Sequence, residues 1–153
     1  MERLRVQIRA MRSGDEGILL YLAEETLHPL AVGAAHPERY DPSQLLALLG
    51  DATVFVAESE GEIAGYIAVD REPGALEVRC VCVNPAYEAR AVAHQLVEWV
   101  EGLAFSEGRD RLRAVVPASD EASRHLYRGH DFVTRPGQDR PEMIVLEKRL
   151  TAA

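Results

Sequence analysis

The stretch Val81-Cys82-Val83-Asn84-Pro85-Ala86-Tyr87-Glu88-Ala89-Arg90-Ala91-Val92-Ala93-His94-Gln95-Leu96 joins an apolar run to a helix-forming run across a Pro-punctuated turn. Such a crossover can hold an anion. The first N–H groups of a helix lack partners within it, the helix dipole adds positive potential there, and small side chains at Ala89, Ala91 and Ala93 let a ligand approach the backbone. Arg90 and His94 would supply cationic support, while Val92 belongs to the apolar stripe. The same residues also suit an ordinary Ala-rich helix N-terminus with an acidic first turn, and residue types alone leave both readings open. On the preceding strand, strict alternation places Glu77, Arg79, Val81 and Val83 on one face and Leu76, Val78, Cys80 and Cys82 on the other. Leu126-Tyr127, further on, reads as the apolar side of a helix, with a tyrosine hydroxyl that either does chemistry or simply reaches water.

The elements that must position these residues follow from periodicity and turn chemistry. Val6 to Met11 alternates enough for a strand, and Ser13-Gly14-Asp15-Glu16 reads as a capping box opening a helix to about Thr26, with Ile18, Leu19 and Leu22 inside. Asp41-Pro42-Ser43-Gln44 repeats the start signal before Leu45 to Leu49 and a Gly50 stop, leaving His28 to Tyr40 as a loop. Thr53 to Glu58 and Ile63 to Arg71 are β-rich runs joined by Ser59-Glu60-Gly61-Glu62, and Pro73-Gly74 turns the chain into Ala75 to Val83, an antiparallel meander. From Ala89 to Glu107 the positions Val92, Leu96, Val97, Val100, Leu103 and Ala104 keep helical spacing, closed by Gly108. Leu112 to Val116 is a strand, Ser119 caps a helix with Asp120 and Glu121 in its first turn, and Phe132 to Arg135 and Met143 to Leu150 form a hairpin across Pro136-Gly137. The expected fold class is α+β: a mixed, largely antiparallel sheet flanked by helices in the order β-α-α-β-β-β-α-β-α-β-β, with residues 1–153 forming one domain.

Composition narrows the function classes. A chain of 153 residues with 47% hydrophobic and 27% charged residues is long enough to bury a core. The formal net charge of -8 argues against a nucleic-acid surface, which needs a basic field, and accords with a cationic, amine-bearing substrate. Apolar runs are too short to span a membrane, and Met1 to Arg5 leads into alternating sequence, not a signal peptide, so a cytoplasmic protein is expected. Cys80 and Cys82, two apart on a strand, cannot reach disulfide geometry and lack metal-ligand companions at suitable spacing. They read as small buried hydrophobes, and no metal is expected.

The crossover resembles the pyrophosphate loop of the GNAT-superfamily N-acetyltransferases, whose pattern is Gln/Arg-x-x-Gly-x-Gly/Ala; here the register reads Glu88-x-x-Ala91-x-Ala93. Ser119-Asp120-Glu121-Ala122-Ser123-Arg124-His125-Leu126-Tyr127-Arg128-Gly129-His130-Asp131-Phe132 is similar to the family's Asn-x-x-Ala-x-x-Leu-Tyr-x-x-x-Gly-Phe, with Leu126, Tyr127 and Phe132 matching and Asp120, Ser123 and Asp131 replacing Asn, Ala and Gly. Asp enters the left-handed region readily, so the turn before Phe132 can survive. The element order also follows this family over nearly the whole chain. The resemblance implies acetyl-CoA as cofactor, held by backbone of Val81, Cys82 and Val83, by residues from Ala89 through Arg90, Ala91, Val92 and Ala93 to His94, and by Asp120. It implies Glu77 as general base on an amine of a small molecule or peptide, and Tyr127 as the acid that protonates the departing thiolate. An ion pair with Arg79 would instead make Glu77 structural. His36 and Tyr40 fall on the family's acceptor wall, and a homodimer is common in it. The alternative, motivated by Glu88, Ala91, Asp120 and Asp131, is a non-catalytic protein of this fold that senses acyl-CoA or serves as an interaction module.

Overall fold

The computed structural model of the chain describes residues 5–15, 17–18, 52–84, 86–87, 89–135 and 143–150. Within them, β-branched and aromatic runs separated by Gly turns give one seven-stranded sheet: β1 (Gln7–Ala10), β2 (Thr53–Ser59), β3 (Glu62–Glu72), β4 (Ala75–Val83), β5 (Arg111–Pro117), β6 (Val133–Arg135) and β7 (Met143–Arg149). Their spatial order is β1-β2-β3-β4-β5-β7-β6. Every neighbouring pair is antiparallel except β4 with β5. Two helices, α1 (Ala89–Ser106) and α2 (Glu121–Gly129), complete the described elements. The expected mixed, largely antiparallel sheet is thus present from β2 onward in the expected order. The helices and loop expected between β1 and β2 lie almost wholly outside the described residues.

Turn chemistry sets the meander. Glu60 and Gly61 both adopt positive φ, 51° and 81°, the signature of a two-residue type I′ hairpin whose twist matches its strands. Gly74, at φ 73°, follows Pro73 into the next turn. The apolar stripe of α1 (Val92, Ala93, Leu96, Val97, Val100 and Ala104) is fully buried against Ile67, Val69, Leu76, Val78, Val81 and Val83 of the sheet. Trp99 stacks obliquely on Phe55 at 4.4 Å between ring centroids. Each fully buried Val or Leu of the stripe contributes about 1.5–3 kcal/mol, so this layer is the main anchor of α1.

Two irregularities in β4 shape the site. Val69 pairs with Val78 but Ala68 pairs with Cys80, which leaves Arg79 as an extra residue in a β-bulge. Strict alternation therefore fails, and the expected sharing of one face by Glu77, Arg79, Val81 and Val83 is corrected. Leu76 and Val78 join Val81 and Val83 under α1, whereas Cys80 and Cys82 pack with Val54, Val56, Tyr66 and Ala68 in a second cluster. The second irregularity is a splay. β4 and β5 pair only from Ala75–Arg111 to Val78–Ala114, although β4 continues to Val83 and β5 to Pro117. Among the described residues the pairing of β4 with β5 does not continue beyond Val78.

Candidate functional site

The site lies where β4 leaves β5 and crosses to α1. Asn84 fastens the crossover: its N–H donates to Ala64 O at 2.7 Å, its side-chain amide to Ile63 O at 3.1 Å, and its Oδ1 accepts from Ala86 N at 2.9 Å. A Cβ on Gly65 would stand 2.6 Å from Cys82 O and 3.1 Å from Val92 Cγ1, so only glycine lets α1 press onto β3 and β4 here. The helix begins at Ala89, which puts Ala91 in helical backbone, where alanine carries no positive-φ penalty. Val92 and Ala93 face the core, Arg90 is exposed, and Ala91 and His94 are half-buried. Glu88 lies outside the described residues.

Beside this helix start opens a cleft of about 610 Å³ between α1 and α2, lined by Arg90, Ala93 and His94 on one side and Glu121, Ala122, Arg124, His125, Leu126 and Arg128 on the other. Basic groups outnumber the single acid, so the cleft attracts anions. The motif positions on α2 did not single out Arg124, His125 or Arg128. Arg90 with His94, and Arg124 with Arg128, each recur at i, i+4, a spacing that places both members on one helix face, and that signal was available.

Asp120, not Ser119, is the N-cap of α2, because its Oδ1 accepts from Ser123 N at 3.0 Å and its Oδ2 from Ser123 Oγ at 2.7 Å. Both carboxylate oxygens are thereby engaged in shaping the helix start, and Ser123 is fully buried. Asp131 takes φ 70°, the left-handed turn expected of it, and Phe132 N–H donates to Tyr127 O at 3.1 Å. Tyr127 is fully buried and rests against Phe132 at 5.1 Å, yet its hydroxyl makes no hydrogen bond among the described residues. Burial, then the proximity of Cys80 and Asp120, raises its pKa, so the phenol holds its proton.

Glu77 is mostly buried just before the bulge, and alternation sets it on the face of β4 opposite Leu76 and Val78, which pack under α1. Its Oε2 lies 3.4 Å from Arg79 Nη1 and its Oε1 3.7 Å from Arg113 Nη1. Arg79 also reaches Asp70 at 3.2 Å, and Arg113 reaches Glu72 at 2.9 Å and the buried Glu147 at 3.5 Å. Glu77 is therefore part of a charge network as well as a candidate base. His36 and Tyr40 lie outside the described residues. Among the described residues no His, Cys, Asp or Glu cluster of metal-binding geometry occurs, and no helix is long and apolar enough to cross a membrane.

A further polar chain leads away from the cleft. His94 Nδ1 and His130 Nε2 are 2.5 Å apart, His130 Nδ1 is 3.4 Å from Glu101 Oε1, and Lys148 Nζ is 3.2 Å from Glu101 Oε2. Burial, then His130 and Arg90, holds His94 below the usual histidine value. For Glu101 burial pulls upward, but His130 and Lys148 outweigh it and keep the carboxyl below its ordinary range.

Comparison with known proteins accords with this geometry. The model of the acetyltransferase (GNAT) family matches residues 19–132. No curated protein matches the chain. Among solved structures, the fold is similar to PaiA N-acetyltransferase from Thermoplasma acidophilum in complex with coenzyme A (TM-score 0.76, 15% identity, 95% of this chain and 99% of that one). It is also similar to the ribosomal-protein-S18-alanine N-acetyltransferase of Escherichia coli (TM-score 0.75, 16% identity, 97% and 96%) and to an N-acetyltransferase from Staphylococcus aureus Mu50 (TM-score 0.70, 18% identity, 97% and 100%). At these identities the likeness is one of fold.

Proposed function

Because the chain belongs to the GNAT acetyltransferase family, and is thus an acyltransferase, we propose that it transfers the acetyl group of acetyl-CoA to a primary amine of a small molecule or peptide, directly within a ternary complex. The observation that carries this reading is the Tyr127 hydroxyl: fully buried, protonated, and left without a hydrogen-bond partner among the described residues. A buried orphan hydroxyl costs about 1–3 kcal/mol, a cost that a ligand bonding to it would remove.

The residues present fit the cofactor. Where β5 diverges beyond Val78, the backbone of β4 from Val81 through Cys82 to Val83 lies toward the proposed path of an extended amide-bearing arm, and the first turn of α1, opening at Ala89, offers N–H groups to a pyrophosphate. Arg90, Arg124 and Arg128 line the cleft beside that helix start and supply charge. Bound there, acetyl-CoA would provide an acetyl group activated as a thioester. Tyr127 Oη holds a proton that it can give to a leaving sulfur, and Glu77 is the proposed acceptor of the amine's proton. Asp120 contributes by holding the first turn of α2, the helix that carries Tyr127. His36 and Tyr40 are proposed contacts for the acceptor. The reading further takes residues 1–153 as a single cytoplasmic domain that pairs as a homodimer.

The test is amine-dependent release of CoA thiol from acetyl-CoA across a panel of polyamines, amino acids and peptides, run beside a thermal shift with CoA. At 100 times its Kd a ligand adds about 2.7 kcal/mol of stability. The absence of both stabilisation by CoA and thiol release with any amine would overturn the proposal.

A further inference from the structure

We propose that His94, His130 and Glu101 form a proton relay that places one added positive charge at the α1–α2 cleft when a polyphosphate enters it, so that cofactor affinity rises as pH falls. The inference rests on the reading of that cleft as the cofactor's anion site.

The geometry orders the protons. Glu101, anchored by Lys148 Nζ at 3.2 Å, lies 3.4 Å from His130 Nδ1, a charge contact outside hydrogen-bond geometry that favours the proton on the nitrogen facing it. His130 Nε2 is then a lone pair, and at 2.5 Å it accepts from His94 Nδ1–H. The remaining basic atom of the chain is His94 Nε2. One proton added there leaves the His94–His130 bond intact and shares its charge along the chain toward Glu101. A second would set two N–H groups against each other at the same contact, so the relay takes up one proton and no more while it still ties α2 to α1.

The groups facing His94 decide when it does so. On α1, Arg90 opposes its protonation and Glu98 favours it, and His125 on α2 opposes it. Arg124 and Arg128 line the same cleft, with Glu121 the one acid among the lining residues. Lys148 on β7 pairs with Glu101 at 3.2 Å. In the empty cleft burial, then His130 and Arg90, holds His94 below the usual histidine value, which favours its neutral form. A polyphosphate neutralises the cleft's cations and adds its own negative charge, which raises the midpoint of His94 in the bound state. The sign follows from linkage: affinity is lowest above the bound midpoint, climbs by up to about tenfold per pH unit as pH falls between the two midpoints, and levels off below the free one.

The measurement is titration calorimetry of CoA into the protein in buffers of differing ionisation enthalpy from pH 5.5 to 8.5, beside NMR titration of the histidine ring protons with and without inorganic pyrophosphate. Binding should take up about one proton per ligand in the wild type. A phosphate monoester itself titrates near pH 6, so the readout is the difference from His94→Gln, which should lose both the uptake and the pH slope. Glu101→Gln should keep the uptake but move its midpoint to lower pH. Equal uptake in wild type and His94→Gln, or its loss in His125→Gln instead, would overturn the relay. If CoA fails to bind but pyrophosphate raises the His94 midpoint, the functional reading falls and the relay stands; if neither ligand moves that midpoint, the relay falls.

Discussion

Among the described residues the packing around Tyr127 offers its hydroxyl nothing to bond, and that is the observation behind its proposed role as an acid. Tyr127→Phe removes one oxygen without changing the ring that packs on Phe132. We expect kcat for amine acetylation to fall by about 10²–10⁴ if the phenol acts in proton transfer, while CoA affinity and thermal stability stay the same or improve. Unchanged turnover in a rate and binding comparison would assign Tyr127 to packing alone. The buried thiols show the opposite case, in which burial suppresses chemistry. Burial, then Cys82, pushes the Cys80 thiol up to about 12, leaving roughly one part in 10⁴ as thiolate at pH 8. A disulfide reagent at that pH should label neither cysteine in the native protein and both after denaturation; rapid native labelling of Cys80 would contradict the packing described for β4.

At the scale of elements, α2 is nine residues long and depends on its cap to hold Tyr127 in place. Asp120→Ala should cost about 1 kcal/mol, the usual worth of an N-cap, and more where Ser123 Oγ is left buried without its acceptor. Asp120→Asn, which keeps an acceptor for Ser123 N–H, should recover most of the loss; urea melts of the two variants make the comparison. The cap also marks where sequence reading reached its limit. Asp, Ser and Glu in consecutive positions announce a helix start, but which of Ser119 and Asp120 becomes the cap depends on backbone geometry that composition does not carry. The hairpin at Glu60-Gly61 was legible because a two-residue turn with positive φ demands those residue types. The bulge at Arg79 was not, because nothing in Val78-Arg79-Cys80 distinguishes an inserted residue from a paired one. That one residue moved Val81 and Val83 to the other side of the alternation, away from the face of Glu77. The basic lining of α2 was half legible: the i, i+4 arginines are visible, whereas their meeting with Arg90 and His94 across the cleft is a tertiary fact, as is the contact between His94 and His130.

For the whole molecule, an acidic chain with net charge -8 relies on carboxylates that fold into ion pairs, and acid should expose that reliance. Glu107, just past the end of α1, accepts from Arg71 on β3 at 2.8–3.1 Å and from Arg109 at 2.8 Å, tying the helix end to the sheet at the far end from the cleft. Arg71 first and Arg109 second hold its carboxyl at about 2, below the 4.5 of a free glutamate. A carboxyl depressed on folding stabilises the native state above its unfolded pKa, and that stability drains away as pH falls toward the folded value. The window for Glu107 is therefore from about 4.5 down to about 2. Its partners lie at the surface, so solvent screening limits the contribution to about 1 kcal/mol or less. Glu107→Gln should lower stability modestly at pH 7 and flatten the stability profile within that window. Denaturant melts at closely spaced pH values test this. A variant profile parallel to the wild type throughout would mean that the pair is too well solvated to matter, and that α1 is held by its buried stripe alone.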